Sequence, residues 1–332
     1  MGPRRPHDES ADKDGTSESI ASDSIASDSI ASSSFVDKRD AGTVDNVLRT
    51  LRPWLKRFFE PHVRGLDNLP DGAALIVANH NAGVLMPDVF ILADAILHRR
   101  GAVHLPYALV HDVLLGFPPL RTLLEKLGAV RAHASGADRV FSAGKKVLVF
   151  PGGDLESMRA YRDRHRIVFG PRRGYIRLAI RQGVPVAPVV TAGAHEAFMV
   201  IDDGARIASL LHLPQWLRVN VCPTVLSFPW GLTFGFPPPF IPVPTRIVME
   251  FLEPIHFARS GDEAAADAAY VEACHVEVVA AMQSALTRIA ATDDVGVRAR
   301  IRRRWAFAEP IGAWAERTAD RITSWTTQLA PA

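Results

Sequence analysis

Two side chains in this sequence are spaced to act together as an acid–base pair. An apolar run, Ala73 to Ala78, ends in Asn79-His80-Asn81, and a turn-prone stretch then leads to Pro87-Asp88. Seven residues lie between His80 and Asp88. Asp beside Pro, ahead of the apolar VFILADAIL, suits the first turn of a helix. A carboxylate bonded to one imidazole nitrogen fixes the ring tautomer and stabilises the imidazolium that forms when the other nitrogen takes a proton. The chemistry within reach is general-base catalysis, the removal of a proton from a hydroxyl or from water. The same two residue types also occur as a purely structural pair, so the spacing alone leaves both readings open.

A second constellation is Phe150-Pro151-Gly152-Gly153-Asp154-Leu155-Glu156-Ser157, with Arg159 close behind. It follows KVLV, the plainest strand in the chain. Paired glycines let backbone approach a ligand closely, and they equally make an ordinary strand-to-helix turn. Other chemistries lack their residues. There is no G-x-S-x-G elbow for a serine nucleophile. FSAGKK lacks the spacing of a nucleotide-binding P-loop. HExxH and HxxEH are absent, and Cys222 and Cys274 stand far apart without a neighbouring Cys/His array. Neither zinc nor a disulfide framework is expected.

These residues need elements to hold them. Ala73–Ala78, Val103–Val110, Leu127–Ala132, Lys146–Val149, Val184–Val190 and Arg246–Pro254 read as strands. Between them, 82–100, 114–127, 134–145 and Ile176–Gly183 read as helices, the last ending on a glycine cap. Strands alternating with helices predict an α/β fold with a central, mostly parallel sheet flanked by helices.

The flanking segments differ in composition. Residues 1–40 hold the near-repeat SIASDSIASDSIASSS and carry a balance of −4, against +6 for the remaining 292. A Ser/Asp-rich stretch this short of large apolar groups is expected to be disordered. Residues 44–60 form a basic amphipathic helix whose apolar side fits either a protein core or an anionic membrane surface. Val219 to Thr245 lacks any charged residue, but its seven prolines forbid a spanning helix, leaving an apolar aromatic loop that is either an internal crossover or a lipid-touching surface. Residues 261–332 are helical, with a basic tail. No signal peptide and no uninterrupted apolar span is present, so a peripheral location at the cytoplasmic side of a membrane is expected. The mildly basic body suits an anionic surface and is not a nucleic-acid signature.

In order along the chain, the NH…D pair, LGAVRA, VFPGG and GVPVAPVV resemble the four blocks of the glycerophospholipid and lysophospholipid acyltransferases, nearer the neutral-lipid branch. The resemblance runs over about residues 60–260 and delimits an acyltransferase domain at 61–260. It implies O-acyl transfer from acyl-CoA or an acyl-carrier thioester, as co-substrate without a further cofactor, to a glycerolipid or lysophospholipid hydroxyl. His80 would be the general base and Asp88 its orienting carboxylate. Arg131, Phe150, Pro151, Gly152, Gly153, Glu156 and Arg159 would line the acceptor site, and Val184 to Val189 would support the acyl pocket. The partners implied are a lipid acceptor, acyl-CoA and a membrane surface. Two departures stand out. The His80–Asp88 loop is longer than usual, and Gly152 and Leu155 replace the Glu and Arg of the FPEGTR-like block. Losing that Arg removes a bidentate phosphate clamp, so either Arg131 or Arg159 substitutes for it or the acceptor is a mono- or diacylglycerol. The rival functions are a thioesterase that activates water with His80, and a non-catalytic lipid-binding protein.

Overall fold

The apolar runs Leu75–Ala78 (β2) and Val186–Ala192 (β6) lie side by side at the centre of the protein, buried on both faces as parallel strands require. The computed structural model describes residues 38–306 other than 82, 111–114, 213–220, 236–238 and 293. Expectations for residues 1–37 and 307–332 lie outside the described residues.

Five further strands complete the main sheet: His62–Arg64 (β1), Tyr107–Val110 (β3), Ala129–Arg131 (β4), Val147–Val149 (β5) and Val248–Phe251 (β10). The order is β1-β10-β6-β2-β5-β3-β4, and every neighbouring pair is parallel except β10 with β6. After β2 the chain moves outwards on one side to β3 and then β4, returns with β5 to lie between β2 and β3, and continues on the other side of β2 with β6. Such a reversal opens a crevice at the carboxyl ends of the central strands.

Strand alternation sends Leu75 and Val77 to one face and Ile76 and Ala78 to the other, and each face has its own core. Ala134–Ser142 (α4), Gly174–Gln182 (α6) and Ala268–Ala290 (α9) cover the first face. Ala41–Phe59 (α1) and Pro87–Arg100 (α2) cover the second. The helical segment expected from residue 261 is broken at Asp267, whose side chain caps α9 by accepting from the Tyr270 N–H. The strand expected from Val103 begins only at Tyr107, after a 3-10 turn at Ala102–His104. Pro118 and Pro119 fall in the first turn of Pro118–Lys126 (α3), where a missing N–H costs nothing.

The remaining elements are Gly153–Ser157 (α5), Ala205–Leu210 (α7), Asp262–Ala266 (α8), Gly296–Ala306 (α10) and a small antiparallel sheet. That sheet joins Met199–Asp202 (β7), Thr224–Ser227 (β8) and Gly231–Phe234 (β9). Part of the 219–245 loop is therefore a regular hairpin. No helix among the described residues is long and apolar enough to cross a membrane.

The apolar side of α1 is turned inwards: Val44, Leu48, Leu55 and Phe59 are buried in the second core. Of the two expectations for this helix, packing against the protein is the one observed. It begins at Ala41, capped by the Asp40 carboxylate, and continues through Pro53. Arg39 donates to the Leu105 carbonyl at 2.8 Å and stacks over Tyr107, so the folded body starts before residue 40. Leu48→Ala should lower the unfolding free energy in urea by about 2–5 kcal/mol, as deletion of a buried leucine does; a loss below about 1 kcal/mol would mean that α1 is not docked.

Candidate active site

Because β2 and β5 are adjacent and parallel, their carboxyl ends deliver His80 and Phe150 to the same place. The two rings stack with centroids 4.6 Å apart. Asp88 lies in the first turn of α2, and its Oδ2 is 3.3 Å from His80 Nδ1. The same oxygen accepts the Asn81 N–H at 3.0 Å, and Oδ1 accepts the Val89 N–H at 3.1 Å. Two main-chain donors thus fix the carboxylate before the imidazole meets it. With the Nδ1 proton turned towards Asp88, Nε2 is left as the basic nitrogen. The long His80–Asp88 separation is taken up by a 3-10 turn, Gly83–Leu85, and by Met86 in a left-handed conformation just before Pro87. Gly83 also has positive φ, and a Cβ there would lie 2.5 Å from the Phe198 ring.

A buried polar layer underlies the pair. Glu156 accepts the His80 N–H at 2.9 Å through Oε2 and the Val168 N–H at 3.1 Å through Oε1. Arg159 donates to the His80 carbonyl at 2.7 Å, to Asn81 Oδ1 at 2.6 Å and to the carbonyls of Glu156, Asp163 and Arg164. His195 Nε2 meets the Arg159 carbonyl at 2.6 Å. Asn79 accepts the Thr191 N–H at 2.7 Å and donates back to the Thr191 carbonyl at 2.9 Å, tying the end of β2 to β6. Burial sets the titration of this layer. The Glu156 carboxyl, removed from water by burial and relieved only in part by Arg159 and its two main-chain donors, is pushed up to about 7. His195 is pushed down to about 3, chiefly by burial, and is neutral.

Above the layer is a cavity of about 610 Å³ with a mostly apolar wall that includes His80, Met86, Val89, Leu109, Val149 and Leu178. Among the described residues, the two arginines on its wall are already paired. Arg172 donates to the carbonyls of Pro151 and Gly152 and to Asp154 Oδ1 at 2.8 Å, and Arg181 bonds Asp262 at 2.9 Å. Among the described residues no group of three His, Cys, Asp or Glu could hold a metal.

The residues singled out in the sequence fall into three places. His80, Phe150, Pro151 and Gly153 line the cavity, with Asp88 directly behind His80. Gly152, Glu156 and Arg159 were expected at the acceptor, but they lie behind the wall, Glu156 and Arg159 fully enclosed. Arg131 ends β4 at an exposed position, and its successors Ala132 and His133 are the ones on the cavity wall. Val186 to Val189 lie in the central strand β6, away from the wall, although Val184 to Val189 were expected to support the acyl pocket. Asn79, Asn81, Arg172 and His195 were not anticipated as site residues. Asn flanking His80 on both sides was the available signal for two of them, while the other two are brought in only by tertiary structure.

The raised Glu156 group makes a signed prediction. Its folded pKa exceeds the ordinary carboxyl value, so its stabilising contribution is complete below about pH 4.5 and is lost as pH rises through about 7. Wild-type unfolding free energy should therefore fall between pH 5 and pH 8 by up to about 3 kcal/mol more than that of Glu156→Gln, measured by urea denaturation. Parallel pH profiles would exclude titration of Glu156 in this range.

Residues 60–192 match the family model described as Acyltransferase. The chain is 32% identical over 206 residues to the Mycobacterium tuberculosis protein titled "Uncharacterized protein Rv0502", covering 62% of this chain and 54% of that one. It is 27% identical over 182 residues to a Mus musculus protein titled "DGAT1/2-independent enzyme synthesizing storage lipids", covering 54% and 53%. The chain therefore spans about half the length of these relatives. A solved structure, the 1-acyl-sn-glycerophosphate (LPA) acyltransferase PlsC from Thermotoga maritima, superimposes with TM-score 0.47 at 17% identity, over 75% of this chain and 79% of that one. The NH…D pair and the PGG turn both lie within the stretch, residues 60–192, that matches the acyltransferase family model.

Proposed function

We propose that the protein is an O-acyltransferase that moves a fatty acyl group from a thioester, acyl-CoA or an acyl-carrier thioester, to a hydroxyl of a glycerolipid. The observation that carries this reading is the His80–Asp88 pair, 3.3 Å apart, at the wall of an apolar cavity within the matched domain. The relative named for storage-lipid synthesis supports a glycerolipid acceptor.

The chemistry follows from the pair. His80 Nε2 removes the proton of the acceptor hydroxyl as its oxygen attacks the thioester carbonyl carbon. The new C–O bond forms, the C–S bond breaks, and the departing thiolate takes the proton from the imidazolium. Asp88 keeps the ring oriented and stabilises the cation that exists between the two proton transfers. The products are an ester and a free thiol, and no protein nucleophile is required.

The acceptor in this reading is neutral, a mono- or diacylglycerol. A phosphate head group needs charged donors held open for it. The donors of Arg172 are directed at main-chain oxygens and Asp154, Arg181 faces Asp262, and Arg159 is enclosed below the wall.

Two measurements test the proposal. His80→Ala should lower acyl transfer by about a hundredfold or more, the usual range for losing a general base, with Asp88→Asn less affected; wild-type turnover in His80→Ala would end the reading. Radiolabelled acyl-CoA offered with a panel of acceptors should label mono- or diacylglycerol in preference to lysophosphatidic acid. Preference for the phosphorylated acceptor would overturn the neutral-acceptor assignment, and thioester loss that ignores the acceptor would identify a hydrolase.

A further inference from the structure

The small sheet β7–β8–β9 is apolar on the side that should be polar. An antiparallel sheet with one face on the core normally presents polar side chains outwards. Here the inward residues Val200 and Val225 are fully buried, while outward Leu226 pairs across the hairpin with Leu232, and Phe234 stands opposite Thr224. Leu226, Leu232 and Phe234 are 47%, 53% and 70% exposed. Beside them Phe228 and Trp230 are 66% and 52% exposed at the hairpin turn. Five large apolar side chains on one short hairpin form a contiguous patch of the kind that marks an interaction surface.

The position of this face identifies what it meets. β7 follows the carboxyl end of β6, the edge of the main sheet at which β2 delivers His80. Phe198, just before β7, would touch any side chain placed on Gly83 of the His80–Asp88 loop, and it stacks on Phe240 at 5.0 Å. A basic cluster adjoins the same edge. The Thr245 N–H bonds the Phe58 carbonyl at the end of α1, and Arg246 exchanges main-chain bonds with Gly296 at the start of α10. The end of α1 carries exposed Lys56 and Arg57, and α10, whose Arg300 bonds the Arg57 carbonyl, carries exposed Arg298 near its start and exposed Arg304 and Trp305 in its last turn. Aromatic and leucine side chains next to lysine and arginine match a membrane interface, where rings enter the headgroup layer and cations face anionic lipid.

We propose that the outer face of the β8–β9 hairpin docks on a lipid bilayer, with the basic ends of α1 and α10 against anionic headgroups. The bilayer is thereby brought to the sheet edge where the His80 cavity lies. This rests on the acyltransferase reading only for its purpose, since docking is measured without turnover.

Flotation with phosphatidylcholine vesicles, with and without phosphatidylglycerol, tests it. The wild-type chain should float with both and more strongly with the anionic lipid. Raising NaCl from about 0.1 to about 1 M, which shrinks the screening length from about 10 to about 3 Å, should weaken binding without abolishing it. The variant F228S/W230S/F234S should bind at least about tenfold more weakly, because three aromatic side chains no longer leave water for the headgroup layer. Because Trp230 also donates to the Pro239 carbonyl at 2.8 Å, the variant F228S/F234S, which keeps that bond, should unfold like the wild type and still bind more weakly. His80→Ala should float like the wild type, which separates docking from catalysis. The triple variant should keep turnover on water-soluble short-chain substrates within about twofold and lose it on vesicle-borne acceptor. Wild-type protein that stays unbound, or a triple variant that binds as tightly, overturns the proposal. So does a lipid-free dimer that the triple variant dissociates, since the face would then join two copies of this chain.

Discussion

Arg159 is enclosed by protein, and five oxygens are turned towards its guanidinium. A cation removed from water is tolerated only when its donors are matched, and the matching dictates where each acceptor must be. Two of the five belong to the residues around the imidazole, the His80 carbonyl and Asn81 Oδ1. Glu156 adds the opposite constraint by taking the His80 N–H. The main chain of His80 is therefore held on both sides by buried charge, and its side chain is the part free to face the cavity. A loop held in this way needs no regular secondary structure to keep its shape.

Much of this was legible in the sequence. Unbroken apolar runs such as Leu75–Ala78 and Val186–Ala192 can only be central strands in a layered fold, and their alternation with helical periods gave the sheet its parallel character. Asp88 beside Pro87 marked a helix start. What periodicity could not give was depth. Glu156 and Arg159 are charged residues in a turn, which ordinarily means solvent or ligand, and both are buried because Val168, Arg164 and His195 fold over them from later in the chain. The hairpin at 224–234 was hidden for a different reason. Its outward residues are as apolar as its inward ones, so the alternation that identifies a half-buried strand is missing. The same missing alternation makes its outer face unusual.

Charge is placed differently at the cavity and at the junction of α1 and α10. Around the cavity, Arg172 and Arg181 are bonded to protein acceptors and most of the wall is apolar. At the junction of α1 and α10, Glu60 and Asp294 meet Arg246, Arg300 and Arg303 in a network of ion pairs. The cavity wall, by contrast, offers dispersion and exclusion of water.

The altered PGG block has a steric explanation. A Cβ on Gly152 would lie 2.3 Å from the Glu156 Cβ, 2.5 Å from its Oε2 and 2.5 Å from the Val168 carbonyl. The space beside position 152 is therefore filled by the carboxylate arriving from residue 156, one helical turn later. Acid at 156 and glycine at 152 are two halves of one packing solution, since a side chain at 152 would displace the acceptor of the His80 N–H. Arg172 closes the arrangement from the other side by binding the Pro151 and Gly152 carbonyls, and it touches the place where a Gly153 side chain would point. The turn is built for the close approach of its own protein atoms, which accounts for both glycines without any ligand. It also makes the position of Phe150, and so of the ring stacked on His80, a consequence of buried contacts made below the cavity floor.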